Sequence, residues 1–376
     1  MSLKFDKEPK TKSWDLEVFN KLLIWGVDEG MSDIIITSGE PVWIRLYGQW
    51  EAVTVRAWSK NEVGYLLDKM TESNVSYSSV LSGKERDFLY GVNLARGVGL
   101  RFRGNAAPVA NGKETGVSVI LRTIPEAPPE LAALNLEPDL AEHLTPANGL
   151  VLVTGVMGSG KTYTLAAVLN HIAKTSKRHI VTFEQPIEFN LMDIPGRLGP
   201  VEQSNIPFHY ETFSRAIRGS TRRAADVVLI GESRDPETLR GMLEAAEIGV
   251  AAYSTVHTKS VAATFARIIN VFPPNERNLM ASSLISSVRV IIQQRLFPSL
   301  DGKRRAAREY LVFSQAMRQQ LLRTPLTDLD MAVEELVRRH GQPLEVSTRR
   351  LVEAGEISSE YLDAVLAEKT EEKGDA

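Results

Sequence analysis

The sequence contains no cysteine. This absence excludes disulfide bonds and thiolate zinc sites within the chain. It is also typical of a reducing compartment, where disulfides rarely persist.

Long apolar runs are missing as well, since no stretch approaches the roughly 20 apolar residues of a membrane-spanning helix. The N-terminal residues are charged and do not form the apolar core of a signal peptide; the charges are Lys4, Asp6, Lys7, Glu8 and Lys10. We therefore expect a cytoplasmic protein.

Neither sign of charge is in large excess, because 44 Lys and Arg residues stand against 47 Asp and Glu residues, for a net charge of −3. This balance disfavours bulk nucleic-acid binding, although a local basic groove is compatible with it. The length of 376 residues and the 43% hydrophobic content are typical of a two-domain globular protein.

A phosphate-binding pattern, GxxxxGK[ST], is the strongest signal that the sequence does contain. It consists of Gly155, Val156, Met157, Gly158, Ser159, Gly160, Lys161 and Thr162. The apolar run before it predicts a buried parallel strand, and residues 163–169 after it predict a helix, which is the order that a nucleotide-binding loop requires. We expect backbone N–H groups to surround the phosphates of ATP, Lys161 to meet the β- and γ-phosphates, and Thr162 to bind Mg²⁺.

Clustered prolines predict a linker over residues 125–138. Before it, an amphipathic helix and alternating strand-like runs predict an α+β domain over residues 1–124; these elements lie at residues 14–25, 34–36, 42–46, 99–105 and 117–122.

After the linker, apolar strands alternate with helical segments, which predicts a parallel sheet covered on both faces. The predicted strands are residues 150–154, 180–183, 227–230 and 251–256. We place an ATPase core at residues 139–300, ending in one long helix over residues 275–295. A helical C-terminal region with a charged tail is predicted over residues 301–376.

A carboxylate follows the third of these strands, in the run Asp-Val-Val-Leu-Ile-Gly-Glu at residues 226–232. Ligands of open α/β sheets bind beyond the carboxyl ends of the strands, so Glu232 is placed to orient an attacking water or to act on Mg²⁺. The alternative is an exposed acid at a strand end. Asp226 starts the strand, and we interpret it as a positioning or capping residue.

Three more candidate side chains follow neighbouring strands. Glu184 and Glu188 are separated by a turn at Pro186, and they either project toward the phosphates or remain solvated loop acids. His257 follows the fourth strand, where a neutral imidazole would donate a hydrogen bond to the γ-phosphate or serve a structural role.

These motifs together resemble those of the secretion ATPases, the family of type II secretion, type IV secretion and type IV pilus retraction motors. Four boxes match in order: the Walker A loop at 155–162, an acidic box at 184–188, an atypical Walker B at 226–232 with Arg234 and Asp235, and a His box at 254–258. Residues 32–36 and 41–48 resemble the N-terminal module of the family, and residues 290–296 resemble its late core helix.

The resemblance implies an α/β fold with an N-terminal PAS-like α+β domain, followed by a RecA-like P-loop NTPase domain. It also implies a homohexamer that hydrolyses ATP with Mg²⁺ at the cytoplasmic face of the inner membrane, with each nucleotide between two domains. Expected partners are other ATPases and inner-membrane components of a secretion apparatus; nucleic acid is not an expected partner. In its length and its lack of cysteine, the chain resembles the ATPases of type IVB secretion and of conjugation.

In this family, arginines of the N-terminal domain reach the phosphates of the bound nucleotide. Arg101, Arg103 and Arg122 stand at the matching positions, and strand alternation puts the first two on one face. The alternative is ordinary surface charge.

Three residues depart from the family pattern. Gln185 replaces an acidic-box aspartate, so Glu188 and Glu232 carry more of the work or turnover is slow. Val250 replaces a first histidine, which leaves His257 as the sensor candidate. Ser233 replaces the methionine of pilus retraction motors, which favours a secretion or conjugation relative.

Two other functions stay open, besides a pilus retraction motor. A RecA-like nucleic-acid translocase would show DNA-stimulated turnover, and a nucleotide-gated scaffold would hardly turn over. The basic cluster Lys303, Arg304, Arg305 and Arg308 is interpreted as a solvated linker, although a contact with phospholipid, an acidic partner or nucleic acid is the alternative.

Overall fold

The chain folds into two compact units, Met1–Glu126 and Ala127–Ala376. The structure is a computed structural model that describes residues 4–5, 14–46, 48–95, 98–124 and 127–374. Pro125 and Glu126 of the predicted linker, Tyr47 in the motif at residues 41–48, and the end of the C-terminal tail lie outside the described residues.

The first unit contains a six-stranded antiparallel sheet in the order β3-β2-β1-β6-β5-β4. Its strands are β1 (Met31–Thr37), β2 (Trp43–Leu46), β3 (Gln49–Ala52), β4 (Arg86–Ala95), β5 (Val98–Asn111) and β6 (Glu114–Ile124), and its helices are α1 (Leu16–Asp28), α2 (Lys60–Met70) and α3 (Ser76–Leu81). The buried aromatic side chains of Trp14, Phe19, Trp58 and Phe102 belong to one core between the helices and the sheet.

The second unit contains a seven-stranded sheet in the order β13-β12-β7-β11-β10-β8-β9. Its strands are β7 (Gly149–Thr154), β8 (Ile180–Glu184), β9 (Val201–Asn205), β10 (Val227–Ile230), β11 (Ala251–Val256), β12 (Val288–Pro298) and β13 (Arg304–Val312). Neighbouring strands are parallel except for the antiparallel pair of β12 and β13.

The helices of the second unit cover this sheet and continue to the C-terminus. They are α4 (Pro138–His143), α5 (Lys161–Thr175), α6 (Phe213–Ser220), α7 (Pro236–Glu247), α8 (Val261–Asn270), α9 (Arg277–Ser287), α10 (Gln315–Leu322), α11 (Leu329–His340), α12 (Leu344–Glu353) and α13 (Glu360–Gly374). Among the described residues, no helix is both long enough and apolar enough to cross a bilayer.

Strand β7 shows why the central strands of this sheet are largely apolar. All of its residues are buried, and alternate side chains belong to different cores. Leu150 and Leu152 pack with α7, α8 and α9, whereas Val151 and Val153 pack with α5. A parallel strand covered on both faces needs apolar side chains on both. The α/β class expected from the sequence, with an N-terminal α+β domain before a RecA-like domain, is confirmed.

The single helix expected over residues 275–295 is wrong. Helix α9 ends at Ser287, and the chain continues from Val288 as strand β12, which pairs with β7 and β13. The residues that resemble a late core helix are therefore part of a strand. The run Val-Arg-Val-Ile-Ile is rich in β-branched side chains, which favour a buried strand when a sheet edge is available to pair with.

The basic cluster is not a linker, because most of it lies in a strand, and the region after residue 300 contains β13 besides helices α10 to α13. Strand β13 contains three of the four basic residues. Arg305 pairs with Asp301 and Glu356, and Arg308 is only 2% exposed. Arg305 and Arg308 are used within the fold because β13 is paired on one side and covered by α12, whereas Lys303 and Arg304 are exposed.

The two units provide a test of this architecture, because all five tryptophans lie in the first unit. Replacing buried Leu152 in the second unit by alanine removes core contacts and should cost about 2–5 kcal/mol of unfolding free energy. We expect the circular-dichroism transition in urea to move to lower concentration while the tryptophan fluorescence transition stays in place. Leu300→Ala, at a side chain 70% exposed, is the control. Coincident shifts of both signals would contradict independent units.

Candidate functional site

The phosphate-binding loop connects β7 to α5, as its sequence predicts. Gly155, Gly158 and Gly160 have φ angles of 138°, 77° and 86°, a region that side chains rarely adopt. A Cβ on Gly155 would lie 2.4 Å from the backbone carbonyl oxygen of Gln294, and a Cβ on Gly160 would lie 2.8 Å from the side-chain Nε2 of Gln294. The loop therefore needs glycine for its backbone angles and for its close packing.

Lys161 is the first residue of α5 and lies folded into the loop. Its Nζ donates hydrogen bonds to the carbonyl oxygens of Gly155 at 3.0 Å and Val156 at 2.9 Å. Burial lowers the pKa of this ammonium group, and the charges of Glu232 and Glu188 oppose that effect. The cation is thus held at the loop by groups that a phosphate would replace.

The residues of the loop fit a nucleotide phosphate with Mg²⁺. The hydroxyl of Ser159 is buried and has no hydrogen-bond partner among the residues that the structure describes. Thr162 lies half-buried in the first turn of α5, and the N-terminus of this helix favours an anion. No group of three or more His, Asp or Glu residues that could hold a metal occurs among the residues that the structure describes. The single hydroxyl of Thr162 suits Mg²⁺, which is bound by few protein ligands together with substrate phosphates.

A cleft of about 940 Å³ lies beside the loop. Lys161 and Thr162 of the loop line it, together with Glu188, Leu136 and Arg350. Its volume is in the range of sites for small-molecule ligands.

Glu232 is fixed between two neighbouring strands. It follows β10 through Gly231, whose N–H donates to the carbonyl of Phe183 at 2.8 Å. The hydroxyl of Thr255 donates to the carbonyl of Gly231 at 2.6 Å, and the hydroxyls of Ser233 and Ser254 lie 2.9 Å apart. These contacts fix the backbone on both sides of Glu232, and Arg234 pairs with its carboxylate.

His257 lies next to Glu232, with its Nε2 3.2 Å from Oε1 of the carboxylate. Burial, and then the charge of Lys161, lower the pKa of His257 although Glu232 opposes the change. The lowered pKa favours the neutral imidazole, whose Nε2 lies within reach of this carboxylate. Both side chains, with Arg234, Arg267 and Met157 of the loop, line a cavity of about 290 Å³.

The two acids of the acidic box are separated. Glu188 is exposed and lines the cleft with Lys161. Glu184 is 5% exposed, and its Oε1 accepts hydrogen bonds from the Thr182 hydroxyl at 2.6 Å and the Gln203 amide at 3.0 Å. Burial raises the pKa of Glu184 to about 7. Glu184 is not among the residues that line the cleft, so the structure brings only one of the two acids to it.

Asp226 lies at the opposite end of β10 from Glu232. Its carboxylate accepts a hydrogen bond from the backbone N–H of His179 at 2.8 Å. This contact fits the positioning role that its place before the strand indicates.

The three arginines of the first unit lie together on one face of its sheet. Arg103 is the direct cross-strand partner of Arg122, and Arg101 is two residues along the same strand. Nε of Arg122 donates to Asp33 at 2.7 Å. The intervening Phe102 points into the core. Their contact with a nucleotide stays a prediction.

Two site residues have no recognisable signal in the sequence. Gln294 on β12 closes over the loop, because its Nε2 donates to the carbonyl of Ser159 at 2.6 Å and its Oε1 accepts from the Thr164 hydroxyl at 3.0 Å. Arg267 on α8 lines the Glu232 cavity. Gln294 lay in the segment expected to be helical, and a single arginine on an amphipathic helix is indistinguishable from surface charge.

Residues 91–363 match a family described as Type II/IV secretion system protein. The chain belongs to this family. It is 31% identical over 352 residues to the type IV pilus retraction ATPase PilT of Pseudomonas aeruginosa, which covers 90% of this chain and 95% of that protein.

Two solved structures extend the similarity. The X-ray structure of the ATPase DotB from Legionella pneumophila has a TM-score of 0.90 and 33% identity, over 98% of this chain and 99% of that chain. The pilus retraction motor PilT with bound ADP has a TM-score of 0.80 and 29% identity, over 92% and 96%. The secretion ATPase family that the motifs resemble is thereby confirmed, as is ATPase as the enzyme class of the family.

The buried position of Glu184 predicts a pH effect on stability. Its pKa is about 7 in the folded protein against a usual value of 4.5, so the folded state keeps a proton that the unfolded state releases. Stability should fall as pH rises through this window. We expect Glu184→Gln to be more stable than the wild type at pH 8, by on the order of 1–3 kcal/mol, and to lose this advantage toward pH 5. Urea unfolding at both pH values measures the difference; one that does not change with pH would contradict it.

Proposed function

We propose that the chain is an ATPase motor of a type IVB (Dot/Icm-like) secretion or conjugative transfer apparatus. The observation that carries the proposal is the loop with Lys161 and Thr162 at one edge of the sheet, with Glu232 and His257 at the same edge. The similarity to DotB over nearly the whole of both chains supports the type IVB assignment.

In the proposed site, the loop backbone and Lys161 bind the phosphates of ATP, and Thr162 holds Mg²⁺. Bound Mg²⁺ would neutralise part of the phosphate charge. Glu232 orients the attacking water, helped by the exposed carboxylate of Glu188. Arg234 and His257 both contact the Glu232 carboxylate, and the neutral imidazole adds no further positive charge there.

Gln185 does not by itself favour a scaffold with little turnover. Its side chain is exposed after β8, whereas Glu232 is held by two strands and is 25% exposed. The acid that needs a fixed position for catalysis is therefore still present.

The proposed assembly is a homohexamer that is recruited to the cytoplasmic face of the inner membrane by other ATPases and inner-membrane components. The family resemblance supports this part of the proposal. The domain limits at residues 124, 138 and 300 belong to the same proposal.

Glu232→Gln should separate nucleotide binding from turnover. The amide keeps the size of the side chain but cannot act as a base, so we expect ATP hydrolysis to fall roughly 10²- to 10⁴-fold with little change in ATP affinity. Steady-state phosphate release and equilibrium binding measure the two effects. Light scattering of the same variant with Mg-ATP should give the mass of six subunits.

Glu237→Gln, at an exposed acid in the first turn of α7, is the matched control and should hydrolyse ATP normally. Normal ATP hydrolysis by Glu232→Gln would contradict the proposal that Glu232 orients the attacking water. A species smaller than a hexamer with strong DNA stimulation of the wild type would instead favour a nucleic-acid translocase.

Arg101→Ala and Arg103→Ala should leave ATP binding largely intact and slow its hydrolysis, because an arginine at developing phosphoryl charge can contribute roughly 10³- to 10⁵-fold in rate. Lys113→Ala, at the exposed tip of the same β5–β6 hairpin, is the control. Unchanged ATP hydrolysis in both variants would indicate that Arg101 and Arg103 are ordinary surface charges.

Retraction of a type IV pilus is the second candidate function, and the similarity to PilT over 95% of that protein favours it. Restored twitching motility in a bacterium that lacks its own retraction ATPase would support this function over secretion.

A further inference from the structure

A buried path of side chains runs from the segment before α4 to the phosphate-binding loop. It consists of Glu137, Arg308 and Gln294, which are 3%, 2% and 2% exposed. Charged groups are rarely buried to this extent unless they are paired. Nothing in the proposed chemistry uses Glu137 or Arg308.

Arg308 on β13 forms the centre of the path. Its Nη2 donates to the carbonyl of Leu134 at 2.7 Å, and its Nη1 lies 3.4 Å from the carbonyl of Asn135 and 3.7 Å from the carboxylate of Glu137. Its Nε donates to Oε1 of Gln294 at 3.3 Å. One guanidinium group thus joins residues 134–137 to β12.

Arg308 and the carbonyl of Ser159 require the same orientation of the Gln294 amide. A guanidinium only donates hydrogen bonds, so it selects the oxygen of the amide as its partner. The NH₂ group must then point the other way, where it donates to the carbonyl of Ser159 in the loop at 2.6 Å. The hydroxyl of Thr164 accepts or donates and imposes no such choice.

Glu137 holds the other end of the path. Its carboxylate pairs with Arg350 on α12 and accepts a hydrogen bond from Gln342 at 2.9 Å. It also provides the negative charge that a buried Arg308 requires. The chain reaches this segment shortly after the first unit ends at Glu126.

We propose that Arg308 is a positioning residue that couples residues 134–137 to the phosphate-binding loop through Gln294. The inference rests on the proposed function, since it requires the loop to bind nucleotide. If residues 134–137 move away, Arg308 loses the carbonyls that hold it in place and no longer anchors the oxygen of Gln294. The Gln294 side chain is then anchored by one donor fewer and is held less firmly against the carbonyl of Ser159, so the hydrogen bond from β12 to the loop weakens.

The experiment measures binding of a fluorescent ADP analogue to the full chain with Mg²⁺. Arg308→Leu should weaken binding about tenfold, the size of coupling found within one hydrogen-bond network. Arg289→Leu is the matched control, because Arg289 also donates to backbone carbonyls but at the opposite end of β12. It should change affinity less than about twofold.

A double variant tests whether Arg308 acts through Gln294. If it does, Arg308→Leu combined with Gln294→Leu should bind no more weakly than Gln294→Leu alone. If the two losses multiply, Arg308 acts independently and the proposal is overturned.

Arg308→Lys covers the case in which Arg308→Leu does not fold. Lysine keeps the charge beside Glu137 but lacks the fork of donors that reaches both Leu134 and Gln294. It should unfold at a urea concentration close to that of the wild type and still bind the analogue more weakly. Wild-type affinity in the lysine variant would overturn the coupling, whereas absence of binding in the wild type itself would instead reject the proposed function.

Discussion

Parallel alignment of buried strands is the constraint on which the site depends. Because β7, β11, β10 and β8 run in the same direction, the residues that follow their carboxyl ends meet at one edge of the sheet. The phosphate-binding loop follows β7, Glu232 follows β10, and His257 follows β11. Apolar side chains on both faces of these strands stabilise the alignment, so the core also determines the positions of the polar groups.

Short contacts between neighbouring strands then fix the backbone of the residues at this edge of the sheet. A Cβ on Gly231 would lie 3.2 Å from the Cα of Glu184, and glycine at this position lets β10 continue close beside β8 toward Glu232. The hydroxyls of Thr255 and Ser254, on the neighbouring strand, bond to the carbonyls of Gly231 and Ile230. A contact from a neighbouring strand also fixes the loop, because the Gln294 amide on β12 donates a hydrogen bond to the carbonyl of Ser159.

The sequence was sufficient where short-range patterns carry the information. The apolar runs of β7, β10 and β11 and the glycine spacing of the loop predicted both the strands and the edge at which Glu232 and His257 meet. It was insufficient where distant segments decide. Strand β12 follows α9 without a break, and its pairing with β7 and β13 makes it a strand. Arg308 reads as surface charge until contacts with Leu134 and Gln294 show that it is interior.

The most direct test is a crystal structure of the chain with Mg-ADP. We expect the phosphates to lie against residues 155–162, with Mg²⁺ at the hydroxyl of Thr162 and with Lys161 turned from the carbonyls of Gly155 and Val156 to the phosphate oxygens. Nucleotide bound elsewhere, with Lys161 still bonded to these two carbonyls, would contradict the assignment of this loop as the phosphate site.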